Sequence, residues 1–378
     1  MNQNNKVNRN NKIVDYFGSR GFMIFVGCVI GFLAPVLHKL GNPDTGLCIA
    51  CMERDLVGAL GFHQAPGGQY IRPEIIGLVL GSTLSAIIFR EFKARGGSAP
   101  MIRFFLGFFA MIGVLSFTGC PFGTILRLAE GNLNAMLALA GIIGGVFIGV
   151  LFIRGGFYLG RSTKTKTAAA FILPCIMVLL FILLVFNIRV NNLSAPFRSW
   201  HEPSSLNAPV LISLIAGLVI GFLAQRSRFC TIGGFRDIFL IKNAQYLFGL
   251  IAMLITAFLV NLLLGQFHVF FNNPIEPAGV VEYIWSLLGM VLAGLAFTMG
   301  GGCAGRQLFL SGEGDTDAAF FVIGMLCGAA VTYNFGLLGR PACGAVGDLS
   351  FLGNITVASG LAFCLAIGFT LRIGKGES

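Results

Sequence analysis

Residues 228–237 read Arg228-Phe229-Cys230-Thr231-Ile232-Gly233-Gly234-Phe235-Arg236-Asp237, and residues 48–55 read Cys48-Ile49-Ala50-Cys51-Met52-Glu53-Arg54-Asp55. In both, a cysteine is followed by an adjoining Arg-Asp pair at one offset of 182. Further on, Cys120, Glu130-Gly131, Gly141 and Gly145 recur as Cys303, Glu313-Gly314, Gly324 and Gly328 at an offset of 183. One inserted residue reconciles the two offsets over about a hundred positions. Chance aligns glycines in a chain that has 52 of them, but not two cysteines, an Arg-Asp pair and a Glu-Gly pair in the same order. The sequence therefore reads as an internal repeat.

The solvent of that repeat is lipid. Of 378 residues, 56% are hydrophobic and 11% charged, against about 25% charged in a soluble domain. A water-soluble particle of this size cannot be coated with so little polar surface. The net charge of +10 would point to nucleic acid in a soluble protein, but the cations sit in short loops between apolar runs and no nucleic-acid motif is present. Ten cysteines in or beside apolar segments do not form a secreted disulfide framework. Met1 to Arg20 is polar and Asn-rich, unlike a secretory signal, and reads as a cytoplasmic tail.

Ten apolar runs approach or cross a hydrocarbon core of about 30 Å, near 21–38, 73–91, 101–118, 133–153, 168–188, 209–224, 245–266, 284–300, 317–338 and 355–373. The expected fold class is an all-α polytopic membrane protein. With the N-terminus inside, 19 of the 26 Lys and Arg fall on the cytoplasmic side, so both termini are expected in the cytoplasm of a cell that carries the chain in its plasma membrane. The division is a tail (1–20), a first repeat (21–153), a linking span (154–204), a second repeat (205–338) and a C-terminal loop and span (339–378). The odd linking span turns the second repeat upside down relative to the first, a plan frequent in transporters. The short runs 209–224 and 284–300 lead into Gly-rich polar sequence and predict broken or re-entrant helices. Gly27/Gly31, Gly217/Gly221 and Gly141/Gly145/Gly149 form small-residue faces for close helix packing.

Chemistry is expected where cysteines meet helix breaks. Gly300-Gly301-Gly302-Cys303-Ala304-Gly305-Arg306 and its counterpart Gly119-Cys120-Pro121-Phe122-Gly123 each read as a break followed by a short helix, with Pro121 at a first helical position. A half-helix starting inside the membrane aims free N–H groups and a positive dipole end at a cavity, which suits an anion. Cys120, Cys230, Cys303 and Cys48 are the expected pathway thiols. Arg54-Asp55 and Arg236-Asp237 are expected as mutually neutralising pairs, with Gly119, Gly302, Arg306, Glu130 and Glu313 in support. Cys28, Cys175, Cys327 and Cys364 read as core, and Cys343 stays unplaced. Cys48-Ile49-Ala50-Cys51 is a C-x-x-C, which leaves open a thiol–disulfide pair. No second pair stands at zinc spacing, the four histidines are scattered, no nucleotide-binding loop is present, and no cofactor is expected. Few acids lie in the spans, so nothing in the sequence points to ion coupling.

The stretches 228–237, 300–314 and 119–131 resemble the signature regions of the YeeE/YedE family of sulfur-transport membrane proteins, and the YedE branch of selenium transporters in particular. That resemblance implies uptake of a small anionic sulfur or selenium compound along a cysteine-lined route through Cys120, Cys230 and Cys303, and Cys48 with them. It implies transport and not catalysis. The partners expected are that small molecule, the lipid bilayer and a cytoplasmic sulfur- or selenium-carrier protein. The rival function is a membrane thiol–disulfide oxidoreductase built on Cys48 and Cys51.

Overall fold

In a computed structural model of the chain, the structure describes residues 17–63, 69–117, 119–186, 207–271, 279–340 and 348–372. Most of the tail, together with Cys343, lies outside these. The first set of helices is α1 (Arg20–Lys39), α2 (Ile49–Ala59), α3 (Pro73–Ile88), α4 (Pro100–Leu115), α5 (Pro121–Ala129) and α6 (Asn134–Arg154). After α7 (Ile172–Val185) comes a second set: α8 (Val210–Ser227), α9 (Thr231–Ile241), α10 (Gln245–Leu263), α11 (Val280–Gly300), α12 (Ala304–Gly312) and α13 (Thr316–Asn334), followed by α14 (Phe351–Thr370). The strands are two- and three-residue ladders, 95–96 with 163–164 and 338–340 with 348–349.

Each of the ten apolar runs holds a helix among its described residues. Among the described residues, seven stretches are long and apolar enough to cross a membrane; two of these, Val210–Ile241 and Val280–Gly312, are broken into α8–α9 and α11–α12. The other three, α3, α4 and α7, have 14–16 residues, and at about 1.5 Å per residue they fall short of the core thickness. Pro73 and Pro100 set the starts of α3 and α4 at the first helical turn. Ser19, Asp315 and Ser350 cap α1, α13 and α14 by accepting the N–H of Phe22, Ala318 and Gly353 at 3.1–3.2 Å. The outward faces carry large apolar side chains, among them Phe25, Phe32, Leu151, Leu179 and Phe351, a surface suited to lipid and not to water. This is an all-α polytopic membrane protein.

Most of the core is made between the two sets. α3 packs on α8 and α10 on α1, while α4 packs on α13 and α11 on α6; α4 and α11 meet between them. Each of the first four contacts has a partner with the roles of the sets exchanged. The expected small-residue faces make these contacts. A Cβ on Gly27 or Gly31 would strike the carbonyls of Gly249 and Met253 on α10. One on Gly217 or Gly221 would strike those of Glu74 and Leu78 on α3. Without a hydrophobic driving force between helices in lipid, such close backbone approach supplies the packing energy.

The sets also clasp each other twice by the same pair of hydrogen bonds. The amides of Lys93 and Arg95 donate to the carbonyls of Glu313 and Gly314 at 3.0 and 3.3 Å. Those of His268 and Phe270 donate to the carbonyls of Glu130 and Gly131 at 3.0 and 3.2 Å. Glu130-Gly131 and Glu313-Gly314 therefore share one structural position, directly after a short helix, where Glu130 and Glu313 are the C-cap residues of α5 and α12.

One expectation fails here. Cys175 is exposed on the outward face of α7, and Cys28 and Cys327 are half-buried; of the four cysteines read as core, Cys364 alone is buried. An apolar run carries no signal for which helix face meets lipid and which meets protein when both neighbours are apolar.

Candidate functional site

Four short helices, α2, α5, α9 and α12, have nine or eleven residues each, and the residue before each first turn is a cysteine: Cys48, Cys120, Cys230 and Cys303. All four are buried, none more than 6% exposed. At three of them the sulfur takes the place of a Ser or Asp oxygen at an N-cap. Cys120 Sγ accepts from the Gly123 N–H at 3.5 Å, Cys230 Sγ from Gly233 at 3.2 Å, and Cys303 Sγ from Arg306 at 3.4 Å. Cys48 makes no cap bond; its sulfur lies 2.6 Å from Cys51 Sγ and 4.0 Å from Cys120 Sγ.

The four helix mouths meet in pairs. Cys48 and Cys120 join α2 to α5, and the Cys303 N–H, which donates to Cys230 Sγ at 3.5 Å, joins α12 to α9. Two apolar contacts connect the pairs. The rings of Phe122, in the first turn of α5, and Phe229, just before Cys230, meet edge-to-face at 6.2 Å. Ile49, at the start of α2, abuts Gly305 in the first turn of α12, where a Cβ would come within 2.7 Å of Ile49 Cδ1. The structure thus brings all four expected pathway cysteines into one buried cluster of helix N-termini.

The supporting residues divide by role. Gly301, at φ +93°, ends α11 in the left-handed conformation that glycine alone adopts without strain. The neighbouring Gly300 carbonyl accepts from Arg103 Nη1 and Gln307 Nε2 at 3.1 and 3.0 Å, so the carbonyl freed by the break is satisfied. At Gly302 a Cβ would lie 2.8 Å from Arg306 Cγ, and at Gly119 one would lie 3.4 Å from Arg127 Nη1. Arg306 pairs with Glu313 at 3.1 Å along α12. That pair fixes a helix end.

Both Arg-Asp pairs form as expected, with Nε donating to Oδ1 at 2.8 Å in Arg54–Asp55 and 2.9 Å in Arg236–Asp237. Their surroundings differ. Arg236 keeps 26% of its side chain exposed and reaches the Gly301 carbonyl at 3.5 Å. Arg54 sits in a buried network that the sequence did not reveal. Arg54 and Arg72 both bind Asp44 Oδ2, at 3.1 and 3.0 Å, and Arg127 binds Asp44 Oδ1 at 3.4 Å. Arg72 Nε also donates to Asp55 Oδ2 at 2.6 Å. Arg54, Arg72 and Arg127, counted from the sequence among the loop cations, are therefore members of internal ion pairs. Burial disfavours a charge on Asp44, in the loop between α1 and α2, but Arg54, Arg72 and Arg127 outweigh it and hold the carboxyl well below the usual carboxylate range. The signal lay in the three cations and one acid flanking short apolar segments, which loop-charge counting absorbed.

The spans also hold more acid than expected. Glu53 of α2 and Glu74 of α3 are both fully buried. Asn42 Nδ2 donates to Glu74 Oε1, whereas neither oxygen of Glu53 has a hydrogen-bond partner among the described residues.

Residues 226–368, which hold Cys230 and Cys303, match the family described as Sulphur transport. A relative named thiosulfate transporter TsuA, from Escherichia coli, is 33% identical over 107 residues, 28% of this chain and 29% of that protein. Another of the same name, from Spirochaeta thermophila, is 33% identical over 120 residues, 32% of this chain and 35% of that protein. Each match thus spans about a third of the relative's length. Through the segment that carries Cys230, Cys303 and the helix breaks beside them, the chain is similar to the family of sulfur-transport membrane proteins.

Proposed function

We propose that this chain is a membrane transporter that takes up a small sulfur oxyanion of the thiosulfate class along Cys48, Cys120, Cys230 and Cys303. One observation carries the reading: four short helices, each headed by a buried cysteine, bring their N-termini together inside a lipid-embedded bundle. Helix N-termini offer partial positive charge to an anion. Where a sulfur accepts a backbone N–H through its lone pair, its single S–H proton stays available to a passing oxyanion. Thiols are weak donors, so each stop binds loosely and releases readily. The names of the two relatives support the sulfur assignment, and a selenium oxyanion presents similar acceptors. The chain is not an enzyme in this reading. It lies in the plasma membrane with both termini in the cytoplasm, as the cation bias supports. Its two repeats lie antiparallel and a cytoplasmic carrier protein receives the cargo.

Uptake of labelled thiosulfate, selenite and selenide by cells or liposomes tests this. Wild type is compared with Cys120→Ala, Cys230→Ala and Cys303→Ala; at least a tenfold loss is expected for the favoured substrate. Equal uptake by all four proteins removes the cysteine route.

The closeness of Cys51 to Cys48 favours a second reading, a thiol–disulfide oxidoreductase. It requires Cys51→Ser alone to abolish activity while Cys303→Ala retains it, the reverse of what transport requires.

A further inference from the structure

Glu53 lies in the second turn of α2, the short helix headed by Cys48, and is fully buried. Neither of its carboxylate oxygens has a hydrogen-bond partner among the described residues. An ionised carboxylate in that state is strongly disfavoured, and a buried acid without partners weakens a fold relative to an apolar side chain of its shape. The fold thus gives no reason for an acid at this position. Glu74, in the first turn of α3, differs in degree: its Oε1 accepts from Asn42, and only its Oε2 lacks a partner among the described residues.

Place and surroundings point to a proton. Glu53 follows Ile49 by four residues and shares its helix face, the face that Gly305 of α12 approaches. It therefore stands at the seam between the cysteine pairs. On its own helix, Arg54 and Asp55 bind each other and Cys51 lies against Cys48. On the helices packed around α2, Arg72 binds Asp44 and Asp55, Arg103 binds the Ser98 and Gly300 carbonyls, and Arg306 binds Glu313. Asp317 of α13 accepts the N–H groups of Gly97 and Ser98, and Tyr333 stacks on His63. Among the described titratable groups, the one that remains beside it on its own helix is the Cys48 thiol at the helix head.

We propose that Glu53 is a proton-carrying site that couples anion uptake to proton entry, an inference that rests on the transport reading above. An oxyanion moving inward carries negative charge against an inside-negative potential, and each accompanying proton cancels one charge. Glu53 takes a proton from the outer side as the anion enters and yields it to the inner side as the anion leaves. The proton comes from hydronium at the outer side, leaving water, and passes to water at the inner side, so one O–H bond forms for each that breaks and no other bond changes. Ionisable side chains inside membrane proteins serve proton relays of this kind.

The test uses the full chain in liposomes loaded with a pH-sensitive dye and given labelled thiosulfate. Wild type is expected to acidify the lumen in proportion to uptake. Glu53→Gln is expected to keep thiosulfate–thiosulfate exchange within about threefold, while protons moved per thiosulfate fall at least tenfold; Glu74→Gln keeps the wild-type ratio. An unchanged ratio in Glu53→Gln overturns the proposal. So does wild-type uptake without acidification, or loss of exchange in a Glu53→Gln protein that elutes as wild type. Wild-type liposomes that take up no thiosulfate overturn the transport reading itself, which separates the two failures.

Discussion

Cys230 and Cys303 share a hydrogen bond, the Cys303 amide donating to the Cys230 sulfur at 3.5 Å, while the Cys303 sulfur accepts from Arg306 at 3.4 Å. The two sulfurs are thus built into backbone hydrogen bonding at adjoining helix starts. Each has a structural role as an N-cap and, in the proposed route, a second role as a donor to the cargo.

Those roles separate by substitution. Cys303→Ser keeps an N-cap acceptor for Arg306 and is expected to melt in detergent within about 0.5 kcal/mol of wild type. Cys303→Ala loses the cap and is expected to cost about 1 kcal/mol. Uptake should fall at least tenfold in Cys303→Ala. A Cys303→Ala protein that melts lower yet transports at the wild-type rate would leave the residue a cap and nothing more.

Close backbone contact makes some glycines irreplaceable. Gly31→Val drives side-chain atoms into the Met253 carbonyl region of α10 and should destabilise by about 1–3 kcal/mol or more. Gly144→Ala meets only Val291 Cγ2 at 3.9 Å, an ordinary contact. It should be neutral or slightly stabilising, since alanine favours the helix by up to about 1 kcal/mol. Thermal melts of the purified proteins compare the two.

Equivalent arginines should differ in cost. Arg54→Ala leaves Asp44 and Asp55 short of a partner in a site where the Arg54 side chain is 8% exposed. Breaking a buried pair from one side costs about 3–5 kcal/mol. Arg236→Ala removes a pair that is 26% exposed on its arginine side and should cost about 1 kcal/mol or less. Chemical unfolding in one detergent measures both, and equal losses would contradict the buried network.

Asp44 makes stability sensitive to acid. Its folded-state carboxyl is held below the value of about 3.9 expected in the unfolded chain. Its stabilisation is therefore complete above about pH 5 and is lost as the pH falls below about 4. Melting temperature against pH from 7 to 3 should show this acid limb, and Asp44→Asn should start lower and flatten it.

Much of the scaffold was legible because lipid imposes simple rules. Apolar runs became helices, since in hydrocarbon every backbone polar group has to be satisfied within its own segment. Gly-rich sequence before Cys303 became a helix break, and Pro121 began a helix as its fixed φ requires. Glycines spaced by four became close helix contacts. Periodic small residues and proline are local signals, and local signals survive in one dimension. The exposed Cys175 was misplaced because the alternative to the core in a membrane is itself apolar.

From sequence alone came the helices of the apolar runs, the breaks after 209–224 and 284–300, and the short helices headed by Cys120 and Cys303, all properties of neighbouring residues. Tertiary structure alone decided that Cys48 lies against Cys120 and Cys303 against Cys230, that Arg54, Arg72 and Arg127 share Asp44, and that Glu53 has no hydrogen-bond partner among the described residues. The reason is physical. Electrostatic and hydrogen-bond partners in a low-dielectric interior are set by distances between segments far apart in the chain, and no local pattern records those distances.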